Sequence, residues 1–99
     1  MNEPKHVFYL GIGGIGMSAL ARYHRACGWK VAGYDKTPSN ITESLQLEGI
    51  EVVFDDAVAA LPNGFDQENT LIIFTPAVPP TSKLLQHFSS PAFRMIKRA

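Results

Sequence analysis

Gly11-Ile12-Gly13-Gly14-Ile15-Gly16 carries the spacing G-x-G-x-x-G through Gly11, Gly13 and Gly16. In a phosphate-binding turn each glycine has its own task. Gly11 lets the chain turn sharply out of a strand, and Gly13 lets the backbone approach a phosphate. Gly16 lets the following helix pack closely on the sheet. Free N–H groups and the positive end of the helix dipole then face the anion. The same spacing also occurs in turns that serve only the fold. Here it follows a strand pattern and opens a helical one, which is the context phosphate binding requires.

Asp35 lies about twenty residues past that turn, where an acid accepts hydrogen bonds from ribose hydroxyls in dinucleotide-binding folds. Its structural alternative is to cap the turn that follows. Thr75-Pro76-Ala77-Val78 comes directly after an apolar run, at the sheet edge where ligands of open α/β folds sit. It is either a crevice wall or a rigid loop without ligand contact. Other chemistries have little support. No G-x-x-x-x-G-K-[ST] loop is present, and His6, His24 and His87 lack metal-ligand spacing, reading as packing or surface residues. Ser18 has no nucleophile-elbow context, and no paired catalytic carboxylates stand out.

The elements that must position these residues alternate in type. His6 to Leu10 reads as a buried strand. From Ile15 the spacing turns helical, with Ile15, Ala19, Leu20, Tyr23 and Cys27 on one face and Gly28 as a left-handed stop. Lys30 to Asp35 is a second strand. Asn40 with Glu43 resembles a capping box for a helix whose apolar side is Ile41, Leu45 and Leu47, ended by Gly49. Ile50 to Phe54 is a third strand, and Asp55 to Pro62 is a connector with room for one helical turn. Thr70 to Phe74 is a fourth strand, which the prolines after it cannot extend. Thr81 can cap a helix through Phe88, and Phe93 to Ile96 is a fifth strand. The pattern predicts an α/β domain: a Rossmann-like open parallel sheet of about five strands, ordered 3-2-1-4-5, with helices on both faces.

The bulk properties agree with one small domain over residues 1–99. Its 99 residues are 45% apolar, enough for a single core and ordinary for a globular chain. Nine basic residues balance nine acidic ones, with no basic stripe of the kind nucleic acid attracts. Cys27 is the only cysteine, so no intrachain disulfide can form, and its place near a helix end predicts a small buried hydrophobe. The first residues lack the features of a secretory signal. The longest apolar stretch, Val7 to Leu20, is glycine-broken and too short to span a bilayer. The expectation is a cytoplasmic protein with neither a membrane nor a nucleic-acid partner. The absence of a closing helix after the fifth strand suggests a domain of a longer protein.

The string from His6 through the glycine turn to Met17-Ser18-Ala19-Leu20-Ala21 resembles the opening of the Mur ligase family, in particular the members that join L-alanine to UDP-N-acetylmuramate. The likeness continues in Gly33-Tyr34-Asp35, Thr42-Glu43-Ser44-Leu45, Gly49-Ile50, Phe74-Thr75-Pro76-Ala77-Val78 and Ile96-Lys97-Arg98-Ala99. It implies the first of three domains, holding the UDP part of UDP-N-acetylmuramate, with ATP and Mg²⁺ bound by a central domain outside this chain. The implied reaction turns the muramyl carboxylate into an acyl phosphate that the amino group of L-alanine attacks, in peptidoglycan precursor synthesis. The 99-residue chain alone is then expected to be inactive. By position, Gly13, Gly14, Ile15 and Gly16 offer N–H groups to the diphosphate. Asp35 and Lys36 lie by the ribose and uracil, and Thr75, Pro76, Ala77 and Val78 border the same pocket. Tyr34 replaces a small residue common before the aspartate in some relatives. The residues from Gly11 to Asp35 are also compatible with an NAD(P)-binding module of a dehydrogenase or redox-sensing regulator, against which stand the family-like loop at Thr75 to Val78 and the small size of the chain. A ligase that recycles murein tripeptide is a further alternative within the family.

Overall fold

Among the described residues, five short runs form the strands of one sheet, all but the last rich in β-branched and aromatic residues. They are β1 (His6–Leu10), β2 (Lys30–Tyr34), β3 (Glu51–Val53), β4 (Thr70–Phe74) and β5 (Arg94–Lys97). The computed structural model describes residues 5–65, 69–89 and 93–98. All the strand pairs are parallel, in the order β3-β2-β1-β4-β5. The doubly wound order expected from the alternating pattern is the one the chain adopts.

Among the described residues, three α-helices cover the two faces: α1 (Ile15–Ala26), α2 (Asn40–Leu47) and α3 (Lys83–Phe88). Side-chain alternation along the strands divides the core between them. Val7, Tyr9, Val31, Val52 and Ile73 point to the side of Met17, Ala21 and Leu45, beneath α1 and α2. Phe8, Leu10, Ala32 and Ile72 point to the side of Leu84 and Phe88, beneath α3. The central strand β1 is buried from Val7 to Leu10, as a strand covered on both faces must be. The buried Tyr9 hydroxyl is matched. The Tyr9 hydroxyl lies 2.5 Å from His24 Nδ1 and ties β1 to α1. Burial pushes the Tyr9 hydroxyl up, against a smaller pull from the Arg98 charge. Burial lowers the His24 imidazole, with the Leu20 carbonyl partly offsetting it. Both directions favour the pair of neutral side chains.

Local details depart from the sequence reading where spacing alone had to choose. In α1 the buried residues are Met17, Ser18 and Ala21, whereas Ile15 is 81% and Tyr23 61% exposed. Ser18 can face the core because its hydroxyl donates to the Ile15 carbonyl at 3.0 Å, a satisfied polar group that hydropathy counts against burial. Cys27 is exposed rather than buried. It is the C-cap of α1, directly before Gly28 with its φ of 89°. The capping box of α2 is formed by Ser39 and Thr42, one residue earlier than Asn40 and Glu43. Thr42 N–H donates to Ser39 Oγ, and Ser39 N–H donates to Thr42 Oγ1. That register buries Thr42 and Leu45 and leaves Leu47 85% exposed. Ser82, not Thr81, caps α3. β3 is shorter than its apolar run, and β5 begins one residue later than expected. The connector holds a single 3₁₀ turn, Val58–Ala60.

Gly33 shows how tightly the first turn seats on the sheet. A Cβ there would fall 2.6 Å from Ile12 Cδ1 and 2.9 Å from the Tyr9 carbonyl oxygen. Only a glycine lets Ile12 fold back over β2 in this way.

Candidate functional site

β1 and β4 lie side by side, but the chain leaves them for opposite faces, to α1 from β1 and to α3 from β4. The connections that leave their carboxyl ends therefore diverge and open a crevice, the place where open α/β sheets bind ligands. The crevice has a volume of about 920 Å³, within the range of small-molecule sites. Gly11, Gly13, Gly14 and Gly16 line it from the first turn, Asp35 and Lys36 from the end of β2, and Thr75, Pro76, Ala77 and Val78 from the loop after β4. Of the residues singled out in the sequence, Ile15 is the exception: its side chain points into solvent and does not line the wall.

The first turn is held by the strand beside it. Gly11 and Ile12 N–H both donate to the Tyr34 carbonyl, at 2.8 and 3.0 Å. Gly11 has a φ of 94°, a conformation that favours glycine. Gly13 N–H donates to Asp35 Oδ1 at 3.1 Å, and Gly14 N–H donates to the Gly11 carbonyl at 3.3 Å. Two of the four N–H groups expected to face an anion are thus engaged inside the protein. Among the described residues none accepts from the N–H groups of Ile15, Gly16 or Met17, the first three of α1. These are the orphan donors of a helix start. No acidic residue occupies that first turn, and no side chain caps it.

Gly16 has a different role from the one its spacing suggested. It is exposed, and a Cβ on it would meet the Arg98 guanidinium, with Nη2 at 3.0 Å, rather than the sheet. The close approach to the sheet is made instead by Ile12 over Gly33.

Asp35 anchors the second wall: Oδ1 takes the Gly13 N–H and Oδ2 takes the Thr37 N–H at 3.3 Å. Tyr34 lines the crevice beside it. Burial raises the Tyr34 hydroxyl, as do the charges of Asp56, Asp35 and Asp55 in that order. Met17, Tyr34, Asp56, Pro79, Ser82 and Arg98 complete the lining and were not among the sequence candidates. Asp56 accepts from Ser82 Oγ at 2.9 Å, Leu84 N–H at 2.9 Å and Lys83 N–H at 3.1 Å, so it fastens the connector to the start of α3. Partial burial pushes its carboxyl up. The three hydrogen bonds and the Lys83 charge outweigh that and hold it below the usual range. A signal for Ser82 existed in its spacing before Leu84, Leu85 and Phe88. Arg98 follows Lys97 directly after β5, and no local pattern reveals its place in the fold.

Fold and site together define an open α/β domain with a crevice at its topological switch point, opened by a glycine turn and with no side chain capping the start of α1. The Mur ligase family, catalytic domain, is matched over residues 6–99. The chain is similar to the UDP-N-acetylmuramate–L-alanine ligase of Flavobacterium johnsoniae, with 48% identity over all of this chain and 22% of the relative. The enzyme of the same name from Porphyromonas gingivalis is 51% identical, over 96% of this chain and 21% of the relative. The crystal structure of UDP-N-acetylmuramate–alanine ligase from Thermotoga maritima superposes with a TM-score of 0.81 at 26% identity, over 94% of this chain and 20% of that one. The chain belongs to the Mur ligase family. It spans about a fifth of the length of these relatives.

Proposed function

We propose that the crevice binds the UDP part of UDP-N-acetylmuramate, for an ATP-dependent ligase that adds L-alanine to the muramyl carboxylate in peptidoglycan precursor synthesis. The observation that carries this reading is the start of α1, which offers the Ile15, Gly16 and Met17 N–H groups at the rim of the crevice. A diphosphate seated there accepts from those donors and gains from the helix dipole. Asp35 stands across from the turn, where ribose hydroxyls can donate to it. Tyr34 and the Thr75 to Val78 loop bound the space for the base. The names of the relatives at 48% and 51% identity support the same reading.

The residues of this chain bind and orient; they do not activate the carboxylate. The first turn does not fit ATP and Mg²⁺ in the P-loop manner. Met17 stands where a P-loop has lysine and is buried, and the Ser18 hydroxyl is spent on the Ile15 carbonyl. ATP, Mg²⁺ and L-alanine belong to parts of the enzyme outside these residues, and the work of this domain is to hold the nucleotide end of the substrate. Among the described residues no helix is long and apolar enough to cross a membrane, and we place the reaction in the cytoplasm.

A thermal-shift titration tests the reading, since a ligand that binds only the folded state stabilises by RT ln(1 + [L]/Kd). UDP and UDP-N-acetylmuramate raise the melting temperature of the chain, whereas NAD and NADP leave it unchanged. Stabilisation by NAD or NADP without stabilisation by UDP transfers the crevice to a dinucleotide.

A further inference from the structure

Arg98 follows β5 directly, and its N–H donates to the Phe74 carbonyl at 2.7 Å. That bond carries the β4–β5 pairing one residue past Lys97 and sets the side chain at the rim of the crevice. From there the guanidinium reaches the first turn of α1. A Cβ on Gly16 would lie 3.0 Å from Nη2, 3.4 Å from Nε and 3.6 Å from Cζ.

This placement is electrostatically unfavourable on its own. A helix N-terminus carries a partial positive charge that repels a neighbouring cation. No acidic residue lies in the first turn of α1 to compensate. Among the described residues the Arg98 side chain has no hydrogen bond or ion pair, the one salt bridge there being Arg22 with Glu48. The two crevice carboxylates are held elsewhere: Asp35 by the N–H groups of Gly13 and Thr37, and Asp56 by the start of α3. Two sources of positive potential therefore line one crevice, and neither of its carboxylates pairs with the Arg98 guanidinium. An anionic ligand with several oxygens turns that repulsion into attraction at both ends.

We propose that Arg98 grips the diphosphate of the nucleotide bound in the crevice, opposite the Ile15, Gly16 and Met17 N–H groups. The inference rests on the diphosphate reading above and adds to it the side chain that recognises the charge. Guanidinium suits the task because its planar fork can hold two phosphate oxygens at once. Gly16 suits it because any larger residue would push that fork away.

The test compares UDP with uridine, which share the base and ribose and differ only in the diphosphate. Dissociation constants are measured by NMR titration for the chain and for Arg98→Ala and Arg98→Lys, with melting temperatures as a check on folding. Arg98→Ala weakens UDP by about ten- to a hundred-fold, the loss of one or two charge-assisted hydrogen bonds, and leaves uridine unchanged. Arg98→Lys recovers part of the loss, since it restores the charge but not the fork. The salt dependence of UDP binding becomes shallower in Arg98→Ala. If UDP and uridine weaken together, or UDP binds Arg98→Ala as it binds the parent, Arg98 has no part in diphosphate recognition while the nucleotide reading stands. If the parent binds UDP no better than uridine, the diphosphate reading itself falls.

Discussion

The pair Gly13 and Asp35 joins the first turn to the end of β2 through one hydrogen bond of 3.1 Å. A Cβ on Gly13 would lie 3.0 Å from Asp35 Cγ and 3.1 Å from both carboxylate oxygens. Gly13→Ala therefore displaces the carboxylate before it touches any ligand, so the two residues act as a unit. We expect Gly13→Ala to weaken UDP by about ten-fold or more while the circular dichroism spectrum is preserved, corresponding to one charge-assisted hydrogen bond. Asp35→Asn is milder, because its amide oxygen can still accept from Gly13 N–H or from a ribose hydroxyl. Combining the two changes costs less than the sum of the separate losses, as residues that share one contact do. Calorimetric dissociation constants for the four proteins check this. Full additivity, or an unaltered affinity in Gly13→Ala, removes the coupled pair from the site.

At the scale of elements, α3 shows how a short helix is kept in place. Six residues are too few for a helix to be stable by itself. Two caps and two buried anchors hold it: Ser82 Oγ accepts from Leu85 N–H, Asp56 takes the Lys83 and Leu84 N–H groups, and Leu84 and Phe88 fill the core. Because Asp56 also lines the crevice, the helix and the site share a residue. Asp56→Ala should cost about 0.5–2 kcal/mol, the usual range for losing a capping side chain. The folded carboxyl is depressed, so the unfolded chain binds the proton first as pH falls. Its stabilisation is complete above the ordinary carboxylate range near pH 4 and is lost as pH drops through the lower folded value. Urea midpoints of the parent and Asp56→Ala should thus differ at pH 7 and converge in acid. A gap that persists in acid would mean that the carboxylate charge contributes nothing to the cap.

At the scale of the molecule, the parallel sheet creates the crevice by sending α1 and α3 to opposite faces. The P-loop lysine position is occupied by buried Met17. The 99-residue chain should consequently release no ADP when incubated with ATP, L-alanine and UDP-N-acetylmuramate. A coupled assay for ADP checks this, and protein-dependent turnover would move the ATP site into this chain.

Strand identity, helix order and the doubly wound topology were legible in the sequence because each rests on local periodicity and on connections of one hand. The glycine turn, Asp35 and the Thr75 to Val78 loop were legible for the same reason: their positions follow from where strands end. Tertiary structure decided what periodicity cannot weigh. It buried Ser18 and Thr42, whose hydroxyls find local partners, and left Ile15, Tyr23, Leu47 and Cys27 outside, since a helix shows its core only the arc that its neighbours cover. It also brought Asp56 to the start of α3 and Arg98 to the start of α1, across 26 and 82 residues of chain. Such contacts arise when parallel strands set distant segments side by side, a distance in space that no spacing along the chain records.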